Sequence, residues 1–186
     1  MSVRSLVFAG LVPLSLAWPS DAPPPRRVAL VAIELNDVSN QPVSPELPAR
    51  MQRLTVALEE RLASSCGYKV LAVRPGADPA TSAGPNYLYA HPELAVGLAG
   101  PEAEWVIIPR LNRATPWVTD LQANVVRVRD TTLVSNRIVE VKGIELSPEL
   151  ATKLIERGAA WMADQLSQAI EHASGAVGPA MRRCPA

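Results

Sequence analysis

The order of apolar and polar positions along the chain predicts eight secondary-structure elements. Val28 to Leu35 reads VALVAIEL, short, β-branched and almost wholly apolar, as expected of a central strand covered on both faces. The next stretch, SPELPARMQRLTVALEERLASSCG, predicts a helix. Ser44 is its expected N-cap with Pro45 in the first helical position, and Gly67 is its expected terminator. Leu47, Met51, Leu54, Leu58 and Leu62 follow at spacings of three and four and make one apolar stripe. Tyr68 to Val73 predicts a second strand, and residues 74–91 a Pro-, Gly-, Ala- and Ser-rich loop. Pro92 to Ala99 predicts a short helix and Trp105 to Leu111 a third strand. Trp117–Arg129 and Leu133–Lys142 predict an antiparallel hairpin.

The final element repeats the opening of the first helix, because Ser147, Pro148, Glu149 and Leu150 match residues 44–47. Its expected apolar face is Leu150, Leu154, Gly158, Trp161, Leu166 and Ile170, ending near Gly175. The order is thus β-α-β-α-β-β-β-α. Right-handed crossovers then give a single α/β domain with a mixed five-stranded sheet in the order 2-1-3-4-5, flanked by helices. The first three strands are parallel, the two linking helices lie on opposite faces, and the last helix covers the face the first leaves open. Leu54, Leu58, Leu154 and Trp161 are expected to be buried against the sheet.

The amino-terminal pattern points to export. Residues 1–17, MSVRSLVFAGLVPLSLA, have one positive charge at Arg4, an apolar run from Leu6 to Leu16, and small residues at Ser15 and Ala17. This is the pattern of a secretory signal peptide cleaved after Ala17, with an apolar run too short to span a bilayer, which takes about 20 residues. The expected division is therefore signal peptide 1–17, proline-rich linker 18–27, α/β domain 28–174 and tail 175–186, in a periplasmic or secreted protein with no transmembrane segment in its mature form. Export also bears on Cys66 and Cys184. In an oxidising compartment they can bridge, stabilising the fold by about 4 to 5 kcal/mol in the chain-entropy model; the alternative is two unrelated thiols.

Composition narrows the function classes. The chain has 186 residues, with 18 Lys and Arg against 18 Asp and Glu. Zero net charge without a basic cluster argues against nucleic-acid binding. Hydrophobic residues at 48% and charged residues at 19% argue for a folded chain. With one Phe and three Tyr, the core must be largely aliphatic.

Several segments together resemble a known family. VALVAIELNDVS, the helix ending in LASSCGYKVLAV, AEWVIIPRLNRA, the hairpin strand with NVVRVRD, and RGAAWMADQL are similar to the secreted bacterial family called domain of unknown function 2380, with its relative 3280. The resemblance covers about residues 28–172, and the region from Arg113 to Asp120 departs from it. It implies no defined activity; an envelope protein is the partner class, with a periplasmic quinoprotein dehydrogenase system as a fainter association. More distantly, the element order resembles the amino-terminal domain of the translocation propeller protein, the curli-secretion lipoprotein and lipoprotein activators of cell-wall synthases. Those are adaptors.

Catalytic signals are sparse. His91 and His172 lie far apart and away from both cysteines, so no metal or cofactor site is expected. The chain has none of the glycine-rich phosphate-binding motifs and no nucleophile elbow. Glu34, Asp37, Glu102, Glu104 and Asp120 read as ordinary strand-end acids. The candidate interface is Arg110, Asn112, Arg113, Thr115 and Trp117, one large aromatic among cations and hydrogen-bonding groups, as in interface hot spots. The competing reading has Trp117 filling the sheet edge. Tyr87, Tyr89 and His91 form a second candidate stripe. The expected function is a non-catalytic accessory or adaptor protein that binds another envelope protein. The alternative is a small-molecule binder or weak enzyme using the crevice at the carboxyl ends of the parallel strands, near Asn36, Asp37, Arg74 and Arg110.

Overall fold

A computed structural model describes residues 25–73, 86–145, 147–175 and 184. The expected signal peptide, most of the linker, Arg74 and nearly all of the tail lie outside the described residues. Within them the elements are β1 (Arg27–Val31), β2 (Glu34–Asp37), α1 (Leu47–Ser64), β3 (Lys69–Val73), α2 (Tyr87–Ala90), α3 (Pro92–Ala99), β4 (Trp105–Arg113), β5 (Thr119–Arg127), β6 (Thr132–Glu140) and α4 (Pro148–Ala173). The sheet runs β3-β1-β4-β5-β6, with β2 also paired to β4. β1, β2, β3 and β4 are parallel, and β5 and β6 are antiparallel to their neighbours.

The sheet has six strands where the pattern predicts five, because the run VALVAIEL is broken. Val28 pairs with Trp105 and Glu34 with Arg110, so the offset falls from 77 residues to 76. One extra residue sits on the β1–β2 side, at Ala32–Ile33. A bulge of this kind resets which face each side chain takes. Ile33 and Leu35 join the core beneath α1, and Glu34 and Asn36 share the opposite face with Arg110 and Asn112. The Ile33 N–H that leaves the ladder donates to Thr55 Oγ1 at 3.3 Å.

The larger core lies under α1 and α4, which pack side by side on the same face. It joins Leu54, Leu58 and Leu62 to Ile107, Leu121, Val125, Met162 and Leu166. The last helix thus extends the layer α1 begins instead of covering the other face, which already holds α2 and α3 over Ala29, Val31, Val106, Ile108 and Val126. Residues 87–90, read as loop in the sequence, form the short α2. On α4 the expected stripe holds at Gly158, Leu166 and Ile170 and is out of phase at Leu150, Leu154 and Trp161. Ala151, Ile155, Ala159, Met162, Leu166 and Ile170 are buried, whereas Leu154 is partly buried and Trp161 is 48% exposed. Small residues carry this face because α4 approaches closely: a Cβ on Gly158 would meet Val141 Cγ2 at 3.1 Å.

The two matching tetrads begin their helices differently. In α4, Ser147 accepts from the Leu150 N–H through its side chain at 3.3 Å and from the Ala151 N–H through its carbonyl at 2.9 Å. The residue equivalent to Ala151 in the first tetrad is Pro48, which has no N–H to donate to the Ser44 carbonyl. α1 therefore starts three residues later than Ser44, with Glu46 as its N-cap, and Ser44 Oγ is buried without a partner.

Cys66, just past the end of α1, is joined to Cys184 by a disulfide with a Cα–Cα distance of 4.7 Å. Both sulfurs lie close to the Ala163 carbonyl of α4, at 3.9 and 3.8 Å, so the tail is fastened where the two large helices meet.

Candidate functional site

β4 places Arg110, Asn112 and Arg113 of the candidate interface, and its alternation divides them. Arg110 and Asn112 point to the α2/α3 face, while Arg113 points to the face of α1 and α4.

Arg113 is removed from any surface role, since its side chain is fully buried. Its guanidinium donates to Asp37 Oδ2 at 2.9 Å, to the Gln41 and Pro42 carbonyls at 3.0 and 2.9 Å, and to both Glu145 oxygens at 2.5 and 3.3 Å. It clamps the loop after β2 to the segment after β6. Bonds from Ser39, aided by this guanidinium, hold the Asp37 carboxyl below its ordinary pKa. A buried cation survives only with this degree of pairing.

Arg110 and Asn112 belong to a polar field covering the β2–β6 part of the opposite face. Arg110 donates twice to Gln122 Oε1, at 3.0 and 2.9 Å, and lies 3.8 Å from the centre of the Tyr89 ring. Asn112 accepts from Asn36 at 2.7 Å, and Asn36 in turn accepts from Asn86 at 3.2 Å. Asn124 donates to the Tyr89 carbonyl at 3.1 Å and accepts from Asn136 at 2.7 Å. Burial pushes the Glu34 carboxyl up, against the opposing bond from the Asn86 N–H. Most of these groups bond to one another, which fixes α2 on the sheet. Of the aromatic stripe, Tyr89 is in this network, whereas Tyr87 and His91 stack on each other at 4.3 Å and His91 pairs with Glu93.

Thr115 and Trp117 form the turn between β4 and β5. Thr115 Oγ1 accepts from the Trp117 and Val118 N–H groups at 3.2 and 3.0 Å, and the Trp117 carbonyl accepts from Gly143 N–H at 3.2 Å. The backbone is fixed, yet the indole is 63% exposed. Trp117 does not fill the sheet edge. The same segment after β6 borders a second exposed tryptophan: Trp161 lines a hollow with Glu140, Val141 and Lys142, its ring lying 4.1 Å from the Arg157 guanidinium. Val118 and Leu150 are also partly exposed, at 38% and 41%. Sequence reading missed Trp161 as a surface group because it joined Leu150, Leu154, Gly158 and Trp161 into one apolar stripe; the buried stripe runs one position later, through Ala151, Ile155, Ala159 and Met162.

The carboxyl ends of β1 and β3 open into an apolar cleft of about 500 Å³ under the first half of α1. Leu30, Ile33, Leu35, Leu47, Met51 and Val56 form most of its wall, with Ala72 and Val73 on the strand side. Among the described residues no group of three or more His, Cys, Asp or Glu could hold a metal ion, and no helix is long and apolar enough to cross a membrane.

No family model and no curated protein matches the chain, so the resemblance to domain of unknown function 2380 has no family match behind it. Solved structures share its general fold at low similarity. TolB from Acinetobacter baumannii is 12% identical with a TM-score of 0.45 over 80% of this chain, which spans only 29% of TolB. Lipoprotein GNA1162 from Neisseria meningitidis is 14% identical with a TM-score of 0.44, over 76% of this chain and 99% of its own. The LpoB C-terminal domain from Salmonella enterica is 13% identical with a TM-score of 0.36, over 66% and 87%. Likeness at this level carries nothing about activity or partner.

Proposed function

We propose that this protein is an exported accessory protein that catalyses nothing and binds another protein of the cell envelope through the surface around Trp117. One observation carries the reading: a large indole is presented to solvent at 63% exposure on a backbone pinned by Thr115 and Gly143. Aromatic anchors held in advance lose little entropy on binding, which is why they dominate interface energetics. Trp161, next to the same segment, widens the surface, and Arg113 fixes the segment after β6 that borders it; Arg110 and Asn112 lie in the polar field of the opposite face and take no part in it. Export rests on the charge and apolar pattern of residues 1–17.

The test is crosslinking and capture from periplasmic extract with the wild-type chain and Trp117→Ala. Enrichment of one envelope protein that falls at least tenfold in the variant, with an unchanged melting temperature, supports the reading. Equal capture by both chains defeats it. The alternative, a small-molecule site at the strand ends, draws on the apolar cleft under α1, and a ligand-dependent rise in melting temperature would read it.

A further inference from the structure

The β3 side of the sheet combines two features that belong to neither the Trp117 surface nor the polar field. The first is main-chain phase. Lys69 N–H donates to the Arg26 carbonyl at 2.9 Å and Ala32 N–H to the Val73 carbonyl at 3.3 Å. With the parallel register running from Arg27 opposite Lys69 to Val31 opposite Val73, these bonds fix which way each residue faces. Lys69, Leu71 and Val73 turn their N–H and C=O groups toward β1. Val70 and Ala72 turn theirs outward, and β3 is the last strand on that side, so among the described residues no strand meets them.

The second feature is the cleft, which reaches this edge at Ala72 and Val73. A small-molecule pocket needs a few convergent polar groups to orient its ligand. Here Thr55 Oγ1 already accepts from Ile33 N–H and donates to the Met51 carbonyl. Among the described residues, the free, rigidly oriented groups beside the apolar wall are the main-chain donors and acceptors of Val70 and Ala72, at strand spacing. The chemistry that satisfies them and fills an aliphatic cleft together is another extended chain.

We propose that β3 is a strand-addition site: an extended segment of a partner protein, with aliphatic side chains at alternate positions, bonds to Val70 and Ala72 and seats one side chain between Ala72 and Val56. The small, exposed Ala72 side chain leaves the entrance open, and Val56 on α1 is 44% exposed. Glu59 on the rim favours a neutral or basic segment over an acidic one. This surface is separate from the one around Trp117 and does not depend on it.

The probe is a short fluorescent peptide alternating threonine with valine and leucine and ending in lysine, titrated into the full mature chain. A proline-interrupted peptide of the same composition is the control. Ala72→Pro deletes an outward donor while leaving the bonds to β1 intact, and Val56→Asp places a charge in the cleft without touching the strand. Saturable binding of the probe, weakened at least tenfold by each substitution, absent for the control and unchanged in Trp117→Ala, is the expected result. The proposal is overturned by absence of probe binding. Loss with Val56→Asp but not with Ala72→Pro also overturns it, since the cleft then takes an apolar molecule and no strand. Dimerisation of the chain itself that Ala72→Pro abolishes would overturn it too, by making a second copy the occupant. Should Ala72→Pro lower the melting temperature, the control peptide decides: binding of the proline-interrupted peptide as tight as that of the probe overturns the proposal, and its absence supports it.

Discussion

The two edges of the sheet are built on opposite principles. β6 is nine residues long, carries Ser135, Asn136 and Arg137 in its middle, and pairs with β5 through a register shift beside Val125 and Val126. Charged and polar residues and irregular registers are how natural sheets discourage further pairing. β3 is five residues long and reads KVLAV, with no proline, no register shift and one charge at its first position. The β6 side gains its stability from a long helix pressed tightly on it. The β3 side leaves its outward main-chain groups and part of its apolar surface uncovered among the described residues. An edge that is protected needs no partner, whereas an edge left plain can take one.

Three perturbations sharpen this contrast, and the largest acts at the clamp between the middle of the sheet and the β6 side. Arg113→Ala would strand the Asp37 and Glu145 carboxylates and free the loops after β2 and β6. Loss of one member of a buried pair costs roughly 3 to 5 kcal/mol. Denaturant unfolding should show that loss, with exchange protection falling in the loop after β2 and in the segment after β6; protection lost in one of them alone would mean the clamp does not join them. Gly158→Val should act on the β6 side only, because its new side chain meets Val141 across a 3.1 Å approach. Overpacking of this kind costs about 1 to 3 kcal/mol, with faster amide exchange in β6 and unchanged exchange in β3. The smallest effect is at the β5–β6 turn. Bonds from Arg127, joined by Thr132, hold the Asp130 carboxyl down at about 2. A depressed carboxylate stabilises the fold fully above its ordinary pKa of 3.8 and ceases to do so as pH falls through about 2. The Thr132 amide resonance should therefore move between pH 4 and pH 1 in the wild type and stay still in Asp130→Asn.

The strand order could be read from the sequence because it rests on features one chain segment displays alone: apolar runs for β1, β3 and β4, a short turn for the β5–β6 hairpin, and handed crossovers to arrange them. What was hidden depends on relations between distant segments. The break in VALVAIEL comes from a one-residue mismatch against β4, which no local pattern carries. Arg113 looked like a surface cation because its partners, Asp37 and Glu145, are 76 and 32 residues away. Trp161 falls at helical spacing with Leu154 and Gly158, and only the packing of α4 against Val141 shows that the buried face runs one position later. Trp117, in contrast, was recognisable as a candidate contact because its turn is local. The start of α1 was also local in principle: Pro48 alone decides that Ser44 cannot cap it.

The bond between Cys66 and Cys184 gives the chain an order of events as well as a shape. The two residues are 118 positions apart. At ordinary synthesis rates of about 5–20 residues per second, Cys66 exists for roughly 6 to 24 s before its partner is made. Every described strand and both large helices lie between them or before them, so the link can close only once the described sheet has been supplied. Closure thus reports completion: a chain truncated between Cys66 and Cys184 keeps a free thiol at the end of α1, chemically distinct from the finished molecule and open to thiol-dependent quality control.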